Sequence, residues 1–148
     1  MELDYYLRKR QVGALAQQLS TLSGKPILSV GAGSWLFGDT KCDIDPTSGV
    51  EYCNAQDLSQ YANKQFGVCV LSHVLEHLED PDKALSEAWR VADNVLVEVP
   101  SFLHPAAWLC LQHKWVYVGD SRFRTTPMLN WAVLLGGLCA TYIVLGRQ

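Results

Sequence analysis

Gly31 and Gly33 close an apolar run, and ten residues after the second a carboxylate, Asp43, closes another. Glycines let a backbone approach a ligand closely, and an acid at the end of the next strand can hold the two hydroxyls of a ribose. The pattern therefore predicts a site for an adenosine-containing cofactor, lined by Gly31, Ala32, Gly33, Asp43 and Ile44. Asp45, placed before Pro46, reads as a solvated turn acid. A dinucleotide loop would need a third glycine opening a helix, and Leu36 stands there, so the cofactor is one that needs no pyrophosphate cradle. Asn54, Ala55 and Asp57 follow a third apolar segment. Their groups could hydrogen-bond an adenine ring or cap a helix. His73, Glu76 and His77 have the spacing of an inverted zinc-peptidase motif, which needs a helix. Here they follow a strand, so no metal is expected. His73 is the candidate general base, because histidine as a residue type can exchange a proton near neutral pH. His104 and His113 are further candidates, while Glu76 and His77 are expected to fix the loop by hydrogen bonds.

These residues need a sheet to position them. Residues 3–22 read as an amphipathic helix with Leu3, Leu7, Leu15, Leu19 and Leu22 near one face, stopped by Ser23, Gly24 and Pro26. Short apolar strands are predicted at 27–30, 40–44 and 50–53, and a short helix at 56–62. Residues 66–72 are continuously apolar, as in a strand covered on both faces. Asp80 and Pro81 open a helix whose inward stripe is Leu85, Ala88 and Trp89, and a strand at 94–99 ends at Pro100. Strands alternating with helices predict an α/β domain, a Rossmann-like and mostly parallel sheet flanked by helices, with its ligand beyond the strand C-termini. Nine residues separate Gly33 from Asp43, too few for the usual crossover helix. The first crossover helix is thus shortened or absent, and Trp35, Leu36 and Phe37 are expected to plug its place.

With 148 residues and no linker or repeat, the chain reads as one domain, 1–148: an N-terminal helix (1–24), a cofactor-binding core (27–100), and a substrate-side and C-terminal region (101–148). A net charge of −3 offers no general attraction to nucleic acid. Arg8, Lys9, Arg10, Arg122 and Arg124 read as solvated charges that could meet an anionic substrate. The five cysteines form no Cys-x-x-Cys pair, and those in strands read as small buried apolar residues, which suits a reducing, cytoplasmic setting. The N-terminus lacks the apolar core of a signal peptide. Met128 to Gly146 carries no charge over nineteen residues. That is long enough for a membrane span, but it also divides into a helix at 127–135, a glycine turn and a buried strand at 139–145.

The run FGVCVLSHVLEHLEDPDKALSEAWRVADNVLVEVP, Phe66 to Pro100, closely resembles the fourth and fifth motifs of class I S-adenosylmethionine-dependent methyltransferases. ILSVGAGS is similar to that family's glycine motif, CDIDP to its second-strand acid motif, and CNAQDL to its adenine-side motif. TTPMLNWAVLLGG is similar to its late helix. The resemblance implies S-adenosyl-L-methionine as cofactor, with Gly31 and Gly33 at its methionine end, Asp43 on the ribose and Asn54 with Ala55 at the adenine. It places Ser72 and His73 beside the sulfonium and the substrate. It implies methyl transfer to a small-molecule or sugar-like acceptor, or else a non-catalytic module that keeps the fold to bind cofactor or a partner. Two departures stand out: Ser29 where the family has an acid, and Trp35 where it has a third glycine.

Overall fold

A computed structural model describes residues 2–33, 35, 37–100, 102, 107–108, 110, 112–119, 121–125 and 142–145, with side chains placed from residue 8 and not for 142–145. Helix α1 (Glu2–Ser23) leads into β1 (Ile27–Val30), β2 (Thr40–Asp43), β3 (Glu51–Tyr52) and β4 (Phe66–Ser72). A 3₁₀ turn (Leu75–His77), helix α2 (Pro81–Val91) and β5 (Ala92–Val99) follow, then β6 (Trp115–Val118), β7 (Ser121–Arg124) and β8 (Tyr142–Leu145). The sheet order is β3-β2-β1-β4-β5-β8, parallel except for β8, which runs antiparallel to β5. The chain leaves β1 toward β2 on one side and later returns through β4 on the other. That reversal opens a crevice at the C-terminal ends of β1 and β4.

All four residues of β1 and all seven of β4 are buried, the consequence of their unbroken apolar runs. On one face Leu28, Val30, Leu71, Val95 and Val97 pack with Ala84, Ala88 and Val91 of α2. On the other Ile27, Val68, Val70 and Leu96 pack with Val12 and Ala16 of α1. Leu15 and Leu19 join that layer, but Leu22 is exposed. Gly24 at φ 66 ends α1, its N–H donating to Ser20 O. The predicted cap of α2 is present: Asp80 accepts from the Lys83 N–H, and Pro81 occupies the first turn.

Trp35 and Phe37 fill the place of the missing crossover helix. Their rings stack at 4.8 Å and pack against the α1 layer. Leu36 lies outside the described residues. Replacing Trp35 with alanine is expected to destabilise the fold by about 2–4 kcal/mol in urea unfolding, less than for a fully buried tryptophan. An unchanged midpoint would count against the plug.

The predicted helix at 56–62 does not form. Asn54 and Asp57 turn the chain on their own side chains, accepting from Gln56 N and Ser59 N, while Leu58 and Tyr61 anchor it in the core. Arg90 replaces the absent helical bonds: its guanidinium donates to the carbonyls of Leu58 and Tyr61, to Asn63 Oδ1 and to Glu87. Glu87 in turn accepts from the Leu58 N–H at 2.8 Å. The Arg90 guanidinium, and less so the Leu58 N–H, hold the Glu87 carboxyl below its ordinary value of 4.5. Stability from this pair is thus present above pH 4.5 and lost as pH falls through the lowered value. Arg90→Met should cost about 2–4 kcal/mol at pH 7 and flatten that acid limb in denaturation measured against pH.

Two further features differ from expectation. Cys42 and Cys53 are joined as a disulfide: parallel pairing of β2 and β3 sets Cys42 opposite Glu51, and Cys53, two residues on and on the same face, lies 5.4 Å from Cys42 between Cα atoms. Cys69 is free and buried, and Cys110 is free and half-buried. The second is the β6–β7 hairpin, for which the sequence reading provides no element. It clamps over the start of α2 through Arg122 on Asp82, and Lys114 and Arg124 on Glu79, so these arginines are paired rather than simply solvated. The predicted helix at 127–135 and His104 lie outside the described residues. Strand β8 falls within the predicted strand at 139–145, and no helix among the described residues is long and apolar enough to cross a membrane.

Candidate active site

The glycine loop closes against β4. Gly31 has φ 69, and a Cβ there would sit 2.2 Å from Val74 Cγ2, so only glycine fits. The N–H groups of Gly31 and Ala32 both donate to Cys42 O, tying the loop to the end of β2. Gly33 differs: its φ is 50, it is exposed, and a Cβ there would meet nothing within 4 Å. Its N–H donates to Asp43 Oδ2 at 2.8 Å, while Asp43 Oδ1 accepts from Asp45 N at 3.0 Å. Each carboxylate oxygen keeps a lone pair free. Ile44, next to it, is 67% exposed, an apolar surface beside a half-buried carboxylate. The Cys53 N–H donates to Asp43 O, bringing Asn54 and the buried Ala55 to the same rim. Gly31, Gly33, Asp43, Ile44, Asn54 and Ala55 therefore border one edge of the crevice.

Ser72 and His73 stand at the end of β4, on the other edge. His73 has φ 57, a left-handed conformation rare outside glycine, and its N–H is held by Glu98 O. Its Nδ1 lies 3.1 Å from Glu76 Oε1 and its Nε2 3.9 Å from Glu98 Oε1. The Ser72 hydroxyl donates to Glu98 Oε2 at 2.6 Å. Both glutamates are 1% exposed, which is costly for carboxylates unless cations and donors surround them. Lys9 of α1, 9% exposed, sits in their field and over the Trp35 ring at 4.2 Å. Burial pushes its pKa down, against the pull of Glu98 and Glu76.

Glu98 and Lys9 escape the sequence reading as site residues. Glu98 left a signal, a lone acid in the apolar run VLVEVP; Lys9 left none, since its burial depends on how α1 lies on the sheet. Glu76 does bond the loop, through His73. His77 faces Gln112 O instead, 3.4 Å from its Nδ1. Because His73 ends a strand and Glu76 and His77 lie in a 3₁₀ turn, the zinc-peptidase arrangement on one helix is absent. His113 lies beside His77, ring centroids 4.7 Å apart. A cleft of about 250 Å³ opens beyond Leu75 and Val99, walled by Trp89, Tyr117 and Arg122.

Residues 40–94 match the model of the methyltransferase domain family. The match begins at β2 and so leaves out the shortened glycine loop. A SAM dependent methyltransferase from Archaeoglobus fulgidus shares the fold at 17% identity, TM-score 0.51, over 88% of this chain and 72% of that one. Two others align at TM-score 0.47 and 16% identity. One, described as a SAM-dependent methyltransferase and possible histamine N-methyltransferase from Thermotoga maritima, aligns over 97% of this chain and 90% of its own. The other, described as a "putative methyltransferase" from Bacillus halodurans C-125, aligns over 68% of this chain, which spans 60% of its length. No curated protein sequence matches the chain. The family match spans β2 to the start of β5, and the sheet order together with the Archaeoglobus neighbour shows the fold of class I S-adenosylmethionine-dependent methyltransferases.

Proposed function

We propose that the chain binds S-adenosyl-L-methionine in the β1–β4 crevice and catalyses transfer of its methyl group to a small-molecule acceptor, of which a sugar-like compound is one class. The observation that carries the reading is the convergence of an open Gly33, an Asp43 carboxylate with free lone pairs and the exposed Ile44 on one rim. A ribose diol beside an apolar ring would need those three neighbours. When bound, the cofactor supplies an electrophilic methyl on a sulfonium, so the protein has chiefly to align donor and acceptor and accept a proton where the acceptor carries one. Ser72 is fixed by Glu98, and its place at the strand end supports a role in alignment. Glu76 accepts from the His73 Nδ1–H, which leaves Nε2 as the atom able to take a proton. The net charge supports a small acceptor rather than a nucleic acid.

The test is His73→Gln compared with wild type for both cofactor binding and turnover with candidate acceptors. The expected result is cofactor affinity within about threefold of wild type and a rate lower by about 10²-fold or more, general-base catalysis being worth that much. Turnover equal to wild type would remove His73 as base. Wild-type cofactor binding with no turnover of any acceptor would favour a binding module.

A further inference from the structure

Glu76, His77 and His113 each offer a ligand atom, and those atoms lie within 4.8 Å of one another. The trio sits behind His73, where the 3₁₀ turn meets the segment before β6. The Lys114 N–H donates to Glu76 O at 2.7 Å and sets that approach. Three independent observations bear on what the trio can do. Glu76 Oε2 is fully buried with no hydrogen-bond partner among the described residues, although its other oxygen serves His73. A buried carboxylate oxygen in that state is costly unless a cation or donor completes it.

The other two observations concern the imidazoles. His113 Nδ1 lies 3.2 Å from Ala107 O, and His77 Nδ1 faces Gln112 O. A carbonyl can only accept, so each Nδ1 carries the proton and each Nε2 presents a lone pair. That is the outer-shell arrangement by which proteins orient metal-binding histidines. Both donor types also suit the same ions: imidazole nitrogens select first-row transition metals over magnesium and calcium, and a carboxylate completes a three-ligand set with open positions.

We infer that Glu76, His77 and His113 form a site for one divalent first-row transition ion, of which Zn²⁺ is the representative. Ligands on a tetrahedral zinc lie about 3.4 Å apart, so side-chain adjustments of about 1 Å close the trio on the ion. Glu76 then bridges two functions, holding the ion through Oε2 and His73 through Oε1. The site does not depend on the methyltransferase reading, because the ligands are complete without cofactor or acceptor.

The experiment is a titration of the metal-free chain with Zn²⁺ against a chromophoric chelator, and with Co²⁺ followed by visible absorption. Expected are one equivalent bound and Co²⁺ bands without thiolate charge transfer. His113→Ala and His77→Ala should each weaken binding by about 100-fold, and millimolar Mg²⁺ should not compete. Unchanged affinity in both variants, a thiolate band from Cys69 or Cys110, or equal competition by Mg²⁺ would overturn the site. Should the variants not fold, imidazole nitrogen resonances of the wild type decide. Of its four histidines, Zn²⁺ should shift the Nε2 signals of His77 and His113 as a pair. Shifts in neither would also overturn the site. Cofactor binding measured in the same samples separates its failure from that of the methyl-transfer reading.

Discussion

Asp43→Ala is expected to weaken binding of S-adenosylhomocysteine by about 10²–10³-fold in calorimetry, the largest effect of any single change on the cofactor side. Two contributions add. In the proposed reading the carboxylate is the acceptor for a ribose diol, and charge-assisted hydrogen bonds are worth about 1.5–3 kcal/mol each. It also holds the Gly33 N–H at 2.8 Å and the Asp45 N–H at 3.0 Å, so its loss frees the glycine loop, which the proposed reading puts at the methionine end. Asp43→Asn keeps one carbonyl acceptor for the Gly33 N–H but removes the charge, and should fall between the two. Because Asp43 is only half-buried, both variants should unfold within about 1 kcal/mol of wild type, so a binding loss would not be a folding loss. Affinity unchanged in Asp43→Ala would remove it from the ribose site.

Gly31→Ala should carry the largest stability cost in the glycine loop, about 2–5 kcal/mol. A left-handed backbone at φ 69 costs a non-glycine residue about 1–2 kcal/mol. The new methyl would lie 2.2 Å from Val74 Cγ2, and forced overpacking of that kind costs about 1–3 kcal/mol more. Gly33→Ala isolates the first contribution, since its φ is also positive but nothing lies within 4 Å of its Cβ. Val74→Ala in the Gly31→Ala background should restore the steric part and leave the backbone part. Urea unfolding of the four proteins measures the partition. Gly31→Ala no more destabilising than Gly33→Ala would show that the loop does not close on Val74.

What the chain discloses before folding is governed by how local its physics is. β1, β4, β5 and α2 are legible because their signals are contained within themselves: unbroken apolar runs need both faces covered, and Asp80-Pro81 caps a helix from its own first turn. The aromatic plug is legible by subtraction, since nine residues cannot hold a crossover helix. Segment 56–62 is not, because its turn depends on Arg90, about thirty residues away, to satisfy its carbonyls. The Cys42–Cys53 bridge depends on the β2–β3 register, and the β6–β7 hairpin was in principle readable from the aromatic and β-branched run WVYV before Gly119.

The site divides in the same way. Gly31, Gly33, Asp43, Asn54 and Ala55 follow strand ends, a position that sequence order alone predicts. The charge arrangement around His73 needs three elements brought together: Glu76 from the 3₁₀ turn, Glu98 from β5 and Lys9 from α1. His113 reaches His77 only because the segment before β6 folds back onto that turn.

The central claim is that the β1–β4 crevice holds S-adenosyl-L-methionine, and the most direct test maps the backbone amides of the ¹⁵N-labelled chain by NMR during titration with S-adenosylhomocysteine. Saturable shifts are predicted at Gly31, Ala32, Gly33, Asp43, Ile44, Asn54, Ala55, Ser72 and His73, with the amides of α2 and of the β6–β7 hairpin little moved. No saturable shift at millimolar ligand, or shifts confined to another face of the sheet, would contradict it.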